Sequence, residues 1–389
     1  MTAATGTASS SEDGLRPPAY RIASLPGDGV GPEVVAAARE VLEAAGRAFG
    51  FVIDWSEYLV GGAAIDAYGV PIRPEDVAGA GSADAILLGA VGGPKWDDPT
   101  GTVRPEQSLF ALRGGLGLYA NLRPVTVHPA LVASSPLRPD LLEGVDLMMV
   151  RELTGGVYFG AREEAAAEPG DRRAVDTLPY SEAEIRRVVR LAFELARTRR
   201  KQVTSVDKAN VLATSRLWRR VADEVHAEYP DIELSHQLVD SCAMLLVKRP
   251  AQFDVLVTEN LFGDILSDET SVLAGSLGML PSASLGERRT EHGTFGLYEP
   301  SHGSAPHLTG TGRANPIATV LSAAMLLRWS LGRSDAADEL EAAVHGALDD
   351  GLRTPDLARA GEPTLTTSEM GRAIAERVGA MVALSGVPA

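Results

Sequence analysis

The stretch Tyr20-Arg-Ile-Ala-Ser-Leu-Pro-Gly-Asp-Gly-Val-Gly-Pro-Glu33 decides the fold class. Tyr20 to Leu25 reads as a buried strand, and Pro26 to Gly31 as the turn that ends it. Pro32 then stands where a first helical turn favours proline, ahead of an Ala-rich helix to about Phe49. Strand, tight turn and helix in this order open an α/β protein. The turn is not a dinucleotide fingerprint. Its third glycine is missing, and no acidic residue follows a second strand at the required place. It also lacks the lysine of a P-loop, so no pyrophosphate is assigned to it.

The same alternation continues outward. Apolar runs recur at Asp84–Gly89, Val145–Val150, Lys201–Val206 and Phe253–Thr258. Helical periodicity covers Glu182–Arg199, Thr214–Tyr229, Ala314–Leu331, Asp335–Asp349 and Thr367–Val382. This implies an α/β fold with a largely parallel sheet. Leu153 to Tyr180 breaks the pattern with glycines, a charged run and Pro169. It reads as an arm or hairpin outside the main sheet, of the kind that pairs with a second subunit. Residues 1–18, rich in Ser, Thr, Ala and Gly, read as a disordered tail with no secretory core.

Composition narrows the function classes. The 389 residues suffice for two to three domain-sized units, or for one large body split into two lobes. A net charge of −16 argues against nucleic acid, whose phosphates need clustered Lys and Arg. The single Cys242 excludes an internal disulfide and a cysteine zinc site. No apolar run approaches the ~20 residues of a membrane span. The expectation is a cytoplasmic protein without nucleic-acid or membrane partners.

Asp264 and Asp268 lie four apart, on one face of a helix that follows an apolar strand. Like charges at that spacing repel, and a hard divalent ion would compensate them. A solvated acidic face accounts for the pair alone equally well. Asp240 also follows a strand; alone it reads as a helix cap, and with the other two as a three-carboxylate magnesium or manganese site. Arg104, Arg113 and Arg123 fall in one window, and Arg151 ends an apolar strand. Each is a carboxylate clamp or a surface ion pair. Tyr158, in Thr154-Gly-Gly-Val-Tyr158, and Lys208, just past a strand, are candidate acid–base groups; packing and a surface cation are the plainer readings. The glycine-rich stretch Tyr298-Glu-Pro-Ser-His-Gly-Ser-Ala-Pro-His307, continuing to Asn315, precedes a helix and can hold an anionic or adenosine group.

With these residues in place, the chain resembles the β-decarboxylating isocitrate/isopropylmalate dehydrogenase family from about Arg21 to Val378. The motifs are Leu25-Pro-Gly-Asp-Gly-Val-Gly-Pro-Glu33, Leu118-Tyr-Ala-Asn-Leu-Arg-Pro124, Val150-Arg-Glu-Leu-Thr-Gly-Gly-Val-Tyr-Phe-Gly160, Asp207-Lys-Ala-Asn-Val211, Gly263-Asp-Ile-Leu-Ser-Asp268 and His302-Gly-Ser-Ala-Pro306. The resemblance implies a two-lobed α/β fold that is not Rossmann. Its first lobe would comprise residues 19–118 and 275–389, its second 119–274, with a protruding dimer arm at about 153–180. It implies a homodimer in which Lys208 and Asp240 reach the partner's site. Arg113, Arg123 and Arg151 become carboxylate clamps, Tyr158 and Lys208 the acid–base pair, and Asp240, Asp264 and Asp268 the ligands of Mg²⁺ or Mn²⁺, with Asp240 also facing substrate. NAD would lie against Glu299, His302, Gly303, Ser304, Ala305, His307, Leu308 and Asn315. Glu106, Leu109 and Phe110 would face the 3-alkyl group, with Val211 opposite.

The substrate so implied is a 3-alkylmalate, 3-isopropylmalate first, oxidised and decarboxylated with reduction of NAD. Another alkylmalate, tartrate and homoisocitrate are the alternatives, and a non-catalytic regulatory paralogue is a further one. Two departures stand out. His307 replaces the acidic residue usual in NAD-selective members, and Ser108-Leu-Phe110 replaces the commoner Gly-Leu-Leu. Leu109 matches a position where isocitrate enzymes carry Asn, and an apolar group there leaves a third carboxylate unpaired.

Overall fold

In a computed structural model that describes residues 17–97, 101–165, 170 and 172–385, twelve strands are formed. They are β1 (Ala19–Gly27), β2 (Val52–Glu57), β3 (Ala85–Ala90), β4 (Leu118–Thr126), β5 (Asp146–Glu152), β6 (Arg162–Ala165), β7 (Arg173–Asp176), β8 (Gln202–Asp207), β9 (Glu233–Leu238), β10 (Val255–Thr258), β11 (Pro281–Arg289) and β12 (Thr294–Pro300). Nearly all of the stretch assigned to a disordered tail falls outside the described residues.

Ten strands make one sheet in the order β2-β1-β3-β12-β11-β4-β5-β10-β8-β9. Both flanks are parallel, β2-β1-β3-β12 on one side and β5-β10-β8-β9 on the other. The middle is antiparallel, through β12-β11, β11-β4 and β4-β5. The expectation of a largely parallel sheet therefore holds, with six of the nine pairings parallel and the antiparallel ones confined to the centre. The flanks run in opposite senses, and only antiparallel neighbours can join them. Parallel strands need helical crossovers, and these helices bury both faces of each flank. The six residues of β3, for example, are all buried, whereas the edge strands β2 and β9 alternate between covered and exposed.

Local chemistry sets the helix ends. The helix Gly31–Phe49 begins on Pro32 and stops at Gly50, which is left-handed (φ 69°). Ser181 and Glu184 form a reciprocal cap on Glu182–Arg197. The turn between β1 and its helix has a structural task. Val30 N–H donates to the carbonyl of Ser304 at 2.9 Å, and a Cβ on Gly29 would come within 2.0 Å of that oxygen. The buried Asp28 carboxylate accepts from the backbone of Gly62, Ala63 and Gly92 at 2.7–2.8 Å. The turn thus clamps the 302–305 loop and the end of β3. This is why its glycines cluster without spelling a pyrophosphate loop.

Outside the main sheet, β6 and β7 pair antiparallel as a hairpin of their own. This is the hairpin expected within 153–180, and Arg162 and Arg173 on it are exposed. No helix among the described residues is long and apolar enough to cross a membrane.

Candidate active site

Strands of both flanks deliver residues to one cavity of about 300 Å³. β3 contributes Gly89 and Ala90, β12 Glu299 and Pro300, and β5 Arg151, all at or near carboxyl ends. This is where α/β sheets place ligands. The helix Gln107–Gly115 adds Leu109, Phe110 and Arg113, with Glu106 just before it, and Arg123, Tyr158, Asp264, Ser301, His302 and Gly303 complete the wall.

The basic side is built from buried side chains. Arg151 gives both Nε and Nη2 to Asn260 Oδ1, at 3.0 and 2.8 Å, and pairs through Nη1 with Asp264. Gly263 makes this possible, because a Cβ there would meet Arg151 Cγ at 2.6 Å. Arg123 donates to Asn121 Oδ1 at 2.8 Å, to Ser267 Oγ at 2.7 Å and, more loosely, to Asp268 at 3.4 Å. Arg113 pairs with Glu299 at 2.9 Å. Burial draws the Arg151 guanidinium down to about 10, against the pull of Asp264, and lowers Arg123 too. At about 10 the Arg151 guanidinium stays cationic at neutral pH. Three guanidiniums in one cleft are chemically suited to carboxylates, whose oxygens match their planar forks.

Tyr158 Oη donates to Asp264 Oδ2 at 2.8 Å. Burial, then that hydrogen bond and the carboxylate charge, push the phenol up to about 12, so at neutral pH it carries a proton to give. Burial alone would raise Asp264. The charges of Arg151 and Arg123 and the hydrogen bonds from Tyr158 and Arg151 outweigh it and hold the carboxyl below its ordinary range.

Not every expected residue arrives here. Asp268 reaches the site only through Arg123, and its side chain is 70% exposed. Arg104 does not line the cavity. Lys208 and Asp240 are not in its wall either. They face each other at 2.5 Å, and the hydrogen bond from Lys208 holds Asp240 below its usual range. Val211 is 63% exposed on the turn after Lys208 and lies outside the cavity wall of its own chain. These three residues hang from the carboxyl end of β8 and the start of Val239–Lys248, beside the site and outside its wall. Consequently no cluster of three His, Cys, Asp or Glu side chains forms among the described residues of one chain.

The glycine-rich segment bounds a second cavity, with His302, Gly303, Ala305, Leu308 and Asn315 in its wall. The two cavities meet at His302 and Gly303, which line both. Burial keeps the His302 ring below its ordinary pKa, and its buried Nε2 has no partner. Ala305 takes a left-handed conformation (φ 39°) that turns the segment back on itself. Ser304 is buried, with its carbonyl held by Val30. Glu299 belongs to the first cavity, and His307 is exposed and lines neither.

Sequence reading missed the residues that aim the others. Asn121, Asn260 and Ser267 orient the arginines. Glu259 caps the helix Asn260–Ser271 through the amides of Leu261 and Phe262, at 3.0 and 2.7 Å. Glu152 holds the amides of Thr154 and Gly155, which lead to Tyr158. Tyr180 Oη lies 3.3 Å from both carboxylates and ties the two segments together. One signal was available: Glu259 and Asn260 directly follow a strand end.

Comparison with known proteins points one way. The family described as isocitrate/isopropylmalate dehydrogenase matches residues 21–374. A 3-isopropylmalate dehydrogenase of Anaeromyxobacter dehalogenans is 59% identical over 87% of this chain and 94% of its own. One of Geobacillus kaustophilus is 57% identical over 90% and 93%. Among solved structures, an isocitrate dehydrogenase from Methylococcus capsulatus superposes with a TM-score of 0.82 at 36% identity, over 92% of this chain and 99% of that one. An apo β-decarboxylating dehydrogenase from Thermococcus kodakarensis gives 0.74 at 36% identity, over 95% and 99%.

Proposed function

The chain belongs to the isocitrate/isopropylmalate dehydrogenase family, and we propose that it converts (2R,3S)-3-isopropylmalate to 4-methyl-2-oxopentanoate and CO₂ while NAD is reduced, a step of leucine biosynthesis. One observation carries the choice of substrate. The cavity sets the buried cations Arg123 and Arg151, with the largely covered Arg113, against the apolar side chains of Leu109 and Phe110, which offer no donor to a third carboxylate. Isocitrate needs such a donor, because a carboxylate buried unpaired costs several kcal/mol. Phe110 lies in the cavity wall, edge-on to Phe159 at 5.6 Å.

The residues divide the work. Arg113, Arg123 and Arg151 grip the two malate carboxylates. Tyr158, kept neutral beside Asp264, gives a proton to the carbon that loses CO₂. Lys208 takes the hydroxyl proton, and it does so from a second copy of the chain. Asp240 and Val211 travel with it. The exposed apolar residues Met244 and Val247, and Ile265 and Val272 on the helix that carries Asp264, support a homodimer joined at these helices. In that dimer Asp264 and Asp268 of one chain with Asp240 of the other give the hard oxygen donors that Mg²⁺ or Mn²⁺ requires. The second cavity, with the unpartnered His302 Nε2 at its junction with the first, suits NAD. When bound, the cation polarises the hydroxyl and its neighbouring carboxylate, and NAD accepts the hydride. We place the boundary between the two lobes near 118/119 and 274/275, beside β4 and β11.

A panel of methyl-, ethyl- and isopropylmalate, isocitrate, homoisocitrate and tartrate, assayed with NAD and Mg²⁺ or Mn²⁺, tests the reading. Isopropylmalate should lead in kcat/KM. Faster turnover of isocitrate than of every alkylmalate overturns the assignment.

A further inference from the structure

The loop that carries Tyr158 leaves the end of β5 and returns at Tyr180, just before the helix Glu182–Arg197. The two ends of this excursion run side by side. Gly156 N–H donates to Pro179 O at 3.1 Å, and Thr177 N–H donates to Ala161 O at 3.0 Å. Tyr180 then reaches across the loop. A Cβ on Gly155 would stand 2.5 Å from its ring, and one on Gly156 would stand 2.7 Å from its Oη. The glycines before Tyr158 thus make room for a side chain of the same protein. The ring also meets Trp218 edge-on at 5.8 Å.

The phenol stands at a joint between two segments. Its oxygen accepts from the backbone N–H of Asn260 at 2.9 Å, at the start of the helix that carries Asp264. Its single proton is offered to Glu152 Oε2 and Glu259 Oε2, each 3.3 Å away. Burial, then the charges of Glu259 and Glu152, push the phenol far above its ordinary range and keep that proton in place. Glu152 holds amides of the loop and Glu259 amides of the helix, so one hydroxyl group locks loop to helix. Asn260 adds a second tie, from Nδ2 to Gly155 O at 3.1 Å. Tyr158 and Asp264, which meet at 2.8 Å, sit one on each segment. Without Oη, the Asn260 N–H loses its acceptor and the two buried carboxyls lose the donor between them. Loop and helix are then free to shift against each other.

We propose that Tyr180 is a positioning residue for the proton that Tyr158 gives, its Oη clamping the Tyr158 loop to the helix Asn260–Ser271 and so fixing where the Tyr158 hydroxyl points. The proposal rests on the dehydrogenase reading given above. Tyr180→Phe keeps the ring and its contact with Trp218 and removes only Oη. A misplacement of about 1 Å costs up to about 10²-fold, so decarboxylation of supplied β-keto acid by the intact enzyme with Mg²⁺ should fall about 10- to 100-fold, and hydride transfer from isopropylmalate less than about threefold. A merely structural role would lower both steps together with Tm. Tyr180→Phe/Glu259→Gln returns an amide donor to the joint and should recover part of the lost decarboxylation. Equal losses in the two steps, or no loss in either, overturn the proposal, and so does a double variant no faster than the single one. Should Tyr180→Phe fail to fold, the double variant carries the same comparison of steps, and equal losses in it overturn the proposal. A parent protein that performs neither step overturns the dehydrogenase reading itself, whereas a fully active parent with an unsplit variant overturns the proposal alone.

Discussion

Asp264 and Asp240 are assigned the same task, yet they live in different surroundings. Asp264 lies in a built environment, with a guanidinium on one oxygen and a phenol on the other. Asp240 is an exposed residue whose one side-chain partner is Lys208, itself assigned to the reaction. The first region is organised within one chain by buried side chains. The second neutralises itself and waits beside the cavity. On the proposed reading, one side of the site is aimed within its own chain and the other is completed by a partner.

The largest expected effect comes from breaking the organised half. Asp264→Asn removes a charge that holds Arg151 and Tyr158 and is assigned to the cation. Loss of that electrostatic stabilisation should lower kcat by about 10³-fold or more. The check is kcat beside direct titration of Mn²⁺ binding. Full activity after chelation and re-addition would sink the assignment. The substitution also has a stability signature. The folded pKa of Asp264 is depressed, so its ionised form stabilises the fold above the usual carboxylate range and that contribution is lost as pH falls through the folded value. Asp264→Asn should flatten the acid side of the stability profile.

Next in size are Lys208→Met and Tyr158→Phe, each losing a proton-transfer group worth about 10²- to 10⁴-fold. Lys208→Met should slow hydride transfer. Tyr158→Phe should slow the steps after it, which feeding the β-keto acid isolates. Mixing the two inactive proteins, denaturing and refolding them, sharpens the comparison between regions. If Lys208 serves the other chain's site, a hybrid dimer holds one site with both groups intact, and about a quarter of the parent activity returns, half of the dimers being hybrids with one good site each. No recovery would place both groups in one chain's site.

The unequal legibility of these regions in the sequence has a physical cause. Interior strands announce themselves as unbroken apolar runs, as at Asp84–Gly89 and Val145–Val150, because both faces are covered. β4 and β11 carry Asn121, Arg123, Ser282 and Ser284 into the middle of the sheet, and this polar content hides them from an apolar search. That is also why the antiparallel centre escaped notice. Charged residues after strand ends were legible, since few chemistries put Arg151 or Asp264 there. The residues that orient them were not, because Asn260 and Ser267 gain meaning only from what folds against them. Whether Lys208 and Asp240 belong to their own chain's cavity was beyond composition and periodicity alike; only the resemblance raised it.

Asn260→Leu tests that orienting shell with a smaller effect. Asn260 touches no assigned substrate position in this reading. Its Oδ1 takes two hydrogen bonds from Arg151, and a Leu would leave those donors unpaired at a cost of about 1–3 kcal/mol. KM should rise about tenfold or more with a smaller change in kcat, and Asn260→Asp should restore part of the affinity. Equal losses in KM and kcat, tracking a fall in Tm, would mean Asn260 serves packing alone.

The smallest effect concerns the apolar wall. Phe110 is 36% exposed, lines the cavity and meets Phe159 edge-on, so on the proposed reading its ring competes with the 3-alkyl group for space. Removing part of it should favour larger substituents. One methylene in an apolar pocket changes selectivity by about 1–3 kcal/mol, at most roughly 200-fold. A half-exposed ring should give the lower end of that range. Phe110→Leu should therefore raise kcat/KM for isopropylmalate relative to methylmalate by about tenfold, with little change in Tm because the ring is not in the core. An unchanged ranking with a lowered Tm would show that the contact with Phe159 braces the 153–160 segment and does not measure the substrate. That outcome would move Phe110 from the wall that selects the alkyl group to the structure that holds Tyr158.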